Sequence, residues 1–136
     1  ELQRLLKDPD VTDFVIVSIP SRLSVAECAR LLSALAEQNV AVNHLVVNQI
    51  VDSNVKNDFF QRVAAEQMRS LEQVDHGKSP LSSLKLSRVP FFDIEIRGVY
   101  PLKYYAQEAY NGDDWNDLFE DSKDRFILVG GKGGVG

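Results

Sequence analysis

The sequence predicts an α/β fold in which a parallel sheet carries helices on both faces. Three observations predict it. Asp13-Phe14-Val15-Ile16-Val17-Ser18-Ile19 is a nearly continuous apolar run, the pattern of a strand buried on both faces. Strand-like runs then alternate with amphipathic helical patterns, the alternation that right-handed parallel crossovers need. Finally, Phe126-Ile127-Leu128-Val129 runs straight into glycines, as a buried strand does when it enters a tight loop.

Taken in order, Leu2, Leu5 and Leu6 stand at helical spacing before Asp8-Pro9, so residues 1–7 read as the tail of a longer helix. The first strand ends at Pro20. Ser24-Val25-Ala26-Glu27 fits a capping box, in which the serine hydroxyl takes one free N–H of the helix start and the glutamate another. Cys28, Leu31, Leu32 and Leu35 form the apolar stripe behind it. Val40 to Val47 make a second strand, and its polar closing pair Asn48-Gln49 falls on the edge where open α/β sheets bind ligands.

Residues 57–74 read as a second amphipathic helix through Phe59, Phe60, Val63, Ala64, Met68 and Leu71. Leu84 to Val89 make a third strand, residues 90–98 a loop, and Leu102 to Tyr110 a short helix. Asp113 and Asp114 open an acidic stretch that continues through Asp117, Glu120, Asp121 and Asp124. It reads as an interdomain linker with Trp115, Leu118 and Phe119 docking on one neighbour.

A hydrophobic content of 44% and a charged content of 26% are those of an ordinary globular domain. No apolar run reaches the length of a membrane span. The net charge of −5 argues against a nucleic-acid footprint. Cys28 is the single cysteine, so an internal disulfide is excluded and a reducing compartment is suited. The chain starts without Met and stops inside a motif, which points to a fragment.

That motif reads as a phosphate-binding loop; the plain alternative is a floppy glycine-rich tail, and the strand pattern that leads straight into it favours the loop. Gly131 to Gly136 supply the first six positions of G-x-x-x-x-G-K-[ST]. Its glycines let the backbone wrap a phosphate closely, with successive N–H groups pointing at it. The following Lys and Ser/Thr would reach phosphate and Mg²⁺, so these residues alone are expected to be inactive. Lys132 directly after the first glycine makes Gly-Lys-Gly-Gly-Val-Gly, which resembles the deviant loop of the MinD-like and anion-transporting ATPases. In those families the extra lysine crosses a dimer interface to nucleotide held by the partner, and the loop sits on the first strand of its domain. That divides the chain into 1–110, the C-terminal part of a first ATPase domain; 111–124, the acidic linker; and 125–136, the first strand and truncated loop of a second.

Further segments resemble the C-terminal half of an anion-transporting ATPase (ArsA) domain, a P-loop NTPase with a deviant Walker A loop. They are residues 14–20, then Leu23-Ser24 with Glu27, Arg30 and Leu31, then Leu45-Val46-Val47-Asn48-Gln49, Gln67-Met68-Arg69, Val89-Pro90 and Glu95-Ile96-Arg97-Gly98. The resemblance covers about residues 10–110 plus the terminal loop, and its strength is the order of the segments. It implies ATP with Mg²⁺ as the bound species, a pseudo-dimer of two halves within one chain, and a cytoplasmic setting, with the plastid stroma as the alternative. The family includes arsenite pumps, which work with a membrane-embedded subunit. It also includes factors that deliver tail-anchored membrane proteins to a membrane receptor. A MinD-like partitioning ATPase explains the loop but not the segment ending in Asn48-Gln49.

The resemblance assigns adenine recognition to Asn48, whose amide can accept from the exocyclic amine and donate to a ring nitrogen. Against it stands a strand-end asparagine that merely caps the next turn. The adenine loop falls on Pro90, Phe91 and Phe92, and for Phe92 core packing explains the residue equally well. Gly131, Lys132, Gly133, Gly134, Val135 and Gly136 fall on the phosphate loop, with Lys132 in the catalytic role across the interface. Two departures stand out. Ser21 replaces a glutamate that reaches nucleotide across the interface in many members, leaving Arg22 beside it with solvent as its usual fate. Asn57 and Phe60 replace a zinc-binding Cys-x-x-Cys, so no metal site is expected, and neither His44 nor His76 has the partners to replace it. The plain readings of the remaining candidates are Glu27 as a capping residue, Cys28 as a small core residue, and Lys103, Tyr104 and Tyr105 as a solvated helix face.

Overall fold

A computed structural model of the chain describes residues 2–75, 79–110 and 126–131. The elements are α1 (Leu2–Leu6), β1 (Thr12–Ser18), α2 (Arg22–Glu37), β2 (Val42–Ile50), α3 (Asp58–Asp75), a 3-10 turn (Pro80–Ser83), β3 (Lys85–Pro90), α4 (Val99–Tyr110) and β4 (Phe126–Gly131). The four strands form one sheet in the order β3-β2-β1-β4, and every pairing is parallel.

Two cores sit on opposite faces of this sheet. Ile16, Leu45 and Val47 point to one face, where Val25 and Cys28 of α2, Leu71 and Val74 of α3, and Leu81 of the 3-10 turn close over them. Val15, Val46 and Val89 point to the other, covered by Phe92 and by Tyr105 of α4. The period-two alternation of a strand thus feeds both cores from one continuous apolar run. Val129 of β4 remains 68% exposed. The Thr12 hydroxyl donates to the Leu5 carbonyl at 2.8 Å and ties α1 to the start of β1.

The capping box expected at Ser24 and Glu27 is not formed. The N-cap of α2 is Ser21, whose hydroxyl accepts from the Ser24 N–H at 3.2 Å. Ser24 is buried inside the first turn, with its Oγ 3.0 Å from the Ser18 hydroxyl and accepting from the Ile19 N–H at 3.3 Å. Glu27 pairs with Arg30 at 3.0 Å. The helix begins one turn early because a hydroxyl is needed where β1 leaves the sheet, to satisfy buried polar groups.

Further boundaries differ from the sequence reading: β2 starts at Val42 and runs through the Asn48-Gln49 pair to Ile50. α4 starts at Val99, because Pro101 falls in the first turn, where a missing N–H costs nothing. The 3-10 turn was unforeseen; Ser79 caps it by accepting from the Leu81 N–H at 3.2 Å, and Leu81 is only 1% exposed. The acidic stretch 111–124 and His76 lie outside the described residues.

Candidate functional site

The carboxyl ends of all four strands share one edge, and the predicted base-recognition residues come together there. β2 and β3 pair as Val47↔Arg88 and again as Ile50↔Pro90, so Asn48 and Gln49 on β2 stand against Val89 alone on β3. This is a bulge, the device that re-aims a side chain beside a binding site. Gln49 takes φ 65, a left-handed conformation that costs a non-glycine residue about 1 kcal/mol or more.

Asn48 is half-buried at this bulge, and its Oδ1 accepts from the Gln49 N–H at 2.8 Å. The local cap considered as the plain alternative is therefore present. It engages one lone pair of an oxygen that has two, and Asn48 makes a further interaction besides it.

The bulge is fastened on both sides. The Phe91 N–H donates to the Ile50 carbonyl at 2.8 Å. From α3, Gln67 donates through Nε2 to the Gln49 carbonyl at 3.0 Å and accepts at Oε1 from the Val51 N–H at 2.8 Å. Sequence reasoning met Gln67 only as part of a resembling segment and gave it no role. The available signal was its place on the inner stripe of α3, between Ala64 and Leu71, where an apolar residue is the default.

Phe91 and Phe92 part company. Phe92 turns inward against Tyr105, with ring centroids 5.0 Å apart, and joins the Val15-Val46-Val89 core. Its core reading is thus the one the packing supports. Phe91 stays 46% exposed and leans on Phe60 at 6.4 Å. With Val51, Asp52, Val55, Phe60 and Asp93 it lines a recess of ≈ 240 Å³ between the loops that follow β2 and β3. Burial pushes the Tyr105 phenol above its ordinary pKa.

β4 runs beside β1 with Val17↔Gly131 as its last pair, so the described start of the glycine loop reaches the same edge as Asn48. Lys132, Gly133, Gly134, Val135 and Gly136 lie outside the described residues. Ser21 spends its hydroxyl as the cap of α2, and Arg22 is exposed. Asn57 caps α3, its Oδ1 accepting from the N–H groups of Phe59 and Phe60. Among the described residues no group of three His, Cys, Asp or Glu side chains could hold a metal. The Nδ1 of His44 is buried with no hydrogen-bond partner. Cys28 is buried, its thiol donating to the Val17 carbonyl at 3.7 Å.

A parallel sheet with helices on both faces, with an edge strand that ends in Gly130-Gly131, is an arrangement found in the α/β P-loop NTPases. The model of one family, described as Anion-transporting ATPase, matches residues 1–111. The chain belongs to that family. It is 34% identical over 137 aligned residues to ATPase ARSA1 of Chlamydomonas reinhardtii, covering 99% of the chain and 17% of that protein. With ATPase GET3C of Arabidopsis thaliana it shares 34% over 104 residues, 76% of the chain and 27% of the relative. ATPase GET3B of the same plant is 36% identical over 105 residues, 76% of the chain and 25% of the relative. The chain thus spans about a sixth to a quarter of the length of these relatives.

Proposed function

We propose that the chain is part of a protein that binds and hydrolyses ATP and whose two homologous halves close on nucleotide. The observation that carries this reading is the carboxyl edge of the sheet: the Asn48 bulge and the Pro90-Phe91 segment stand there at the ends of β2 and β3, and the place beside β1 is taken by a strand that ends in glycines, as the phosphate-loop strand of a complete half would. Only β1 separates β2 from β4. Two strand spacings amount to about 10 Å, a gap that a nucleotide bridges between its base and its phosphates.

Asn48 then reads the adenine edge, with Pro90 and Phe91 as its apolar wall. Gly131, Lys132, Gly133, Gly134, Val135 and Gly136 cradle phosphate, and Lys132 reaches the phosphates held by the opposite half. Mg²⁺ would arrive on the nucleotide's phosphates; in the full pattern G-x-x-x-x-G-K-[ST] its protein ligand is the closing Ser/Thr.

The tandem arrangement has support in the relatives' lengths. The 137 residues aligned with the algal protein are 17% of it, whereas the 104 aligned with GET3C are 27%. The algal relative is therefore about twice as long, and its alignment runs on through the linker and the loop. On this reading residues 1–110 close the first half, 111–124 link, and 125–136 open the second. The place beside β1 that β4 fills here would belong, in the whole protein, to the equivalent strand of the first half.

Efflux of arsenite or another anion through a membrane-embedded partner, and delivery of tail-anchored proteins to a membrane receptor with ATP as the switch, are the two roles this site can serve. The setting proposed with this reading is the cytoplasm, with the plastid stroma as the alternative. The deciding measurement is Mg-dependent ATP hydrolysis by the full-length protein, alone and with metalloid or a tail-anchored client. Stimulation by one of them selects the role. Absence of hydrolysis under every condition overturns the reading.

A further inference from the structure

The bulge that carries Asn48 is not self-supporting. Gln49 sits in a left-handed conformation that a non-glycine residue abandons unless its surroundings over-determine it. In an extended segment the carbonyl of one residue and the N–H two positions on point the same way, and a neighbouring strand normally satisfies both. At residues 49–51 the β3 side of the chain is met by the Phe91 N–H at the Ile50 carbonyl. On the opposite side the Gln67 amide does what the N–H and C=O of one residue on a neighbouring strand would do, donating to the Gln49 carbonyl at 3.0 Å and accepting from the Val51 N–H at 2.8 Å. Its neighbours on α3 are engaged elsewhere: Glu66 pairs with Arg69, and the Ser70 hydroxyl donates back to the Glu66 carbonyl at 3.1 Å.

We propose that Gln67 is a positioning residue for base recognition: its side-chain amide locks the Asn48-Gln49 bulge in the conformation that presents Asn48 to the base, and so sets the preference for adenine over other purines. The proposal rests on the reading of Asn48 as the base contact. Only a primary amide of this length fits the task. A carboxylate at position 67 would keep the bond from the Val51 N–H and set a negative oxygen against the Gln49 carbonyl.

The test uses the full-length protein with Gln67→Ala, Gln67→Glu and Asn48→Ala. ATP and GTP affinities are measured together with hydrogen exchange at the Val51 amide in the nucleotide-free state. Gln67→Ala is expected to speed Val51 exchange about tenfold and to weaken ATP about tenfold, with little change for GTP. The ATP/GTP ratio then falls toward that of Asn48→Ala, and Gln67→Glu, which keeps the helix surface polar, lies between. Faster exchange with an unaltered ratio makes the amide a structural clamp only and refutes the proposal. A ratio lowered by Asn48→Ala and untouched by both Gln67 variants overturns it while the Asn48 reading stands. A ratio untouched by Asn48→Ala removes that reading and the proposal with it.

Discussion

Replacing Asn48 with alanine in the full-length protein has a consequence within the protein and one in the nucleotide complex, and the two can be separated. Within the protein, the side chain accepts from the Gln49 N–H at 2.8 Å in a half-buried setting; deleting that bond costs about 1 kcal/mol of stability. In the nucleotide complex, the base edge loses its partner, at about 1–3 kcal/mol, or about 5- to 150-fold in Kd. ATP and ADP carry the same base, so both should weaken by the same factor, while turnover at saturating nucleotide changes little because no transition-state contact is lost. Asn48→Asp separates the two effects. Its carboxylate still accepts from the Gln49 N–H but offers no donor to a ring nitrogen, so stability should recover while affinity stays low. Isothermal titration with ATP and ADP, paired with urea unfolding, measures both. Unchanged affinity for both nucleotides in a natively folded Asn48→Ala protein refutes the base contact, and a loss confined to ATP moves the contact from base to phosphate.

Three further outcomes are expected. Lys132→Ala in the full chain should slow single-turnover hydrolysis about 10²-fold or more and leave nucleotide affinity nearly intact, since a cation aimed at developing phosphoryl charge acts on the chemical step; an unaltered rate ends the cross-interface role. Ser21→Ala should cost about 1 kcal/mol as a lost helix cap, whereas Glu27→Ala should cost less than about 0.5 kcal/mol, because its pair with Arg30 is solvent-screened at 39% and 71% exposure; chemical denaturation of both variants settles the order, and the reverse order would reinstate the capping box. Cysteines at Phe14 and Leu128, directly paired across β1 and β4, should form a disulfide in the 136-residue chain and resist forming one in the full-length protein. Efficient crosslinking in the full-length protein would show that β4 completes this sheet rather than opening a second.

β1 and β2 were legible in the sequence because a strand buried on both faces leaves an unbroken apolar run, and Val15-Ile16-Val17 and Leu45-Val46-Val47 are such runs. The polar pair Asn48-Gln49 near the end of β2 was equally plain, since it is a local pattern. The tertiary structure decided the rest. Ser21 and Ser24 are equally good caps by type and spacing, and only the burial of Ser24 against Ser18 at the exit of β1 chooses between them. Phe91 and Phe92 are neighbours of one kind; the position of α4 draws Phe92 to Tyr105 and leaves Phe91 at the recess. Gln67 looks like any helix glutamine until the bulge in β2 brings an orphan carbonyl and an orphan N–H within its reach. The docking of β4 beside β1 joins residues more than a hundred positions apart. A strand's composition encodes that it will pair, while its partner is chosen by the crossovers and by which edge of the sheet is open.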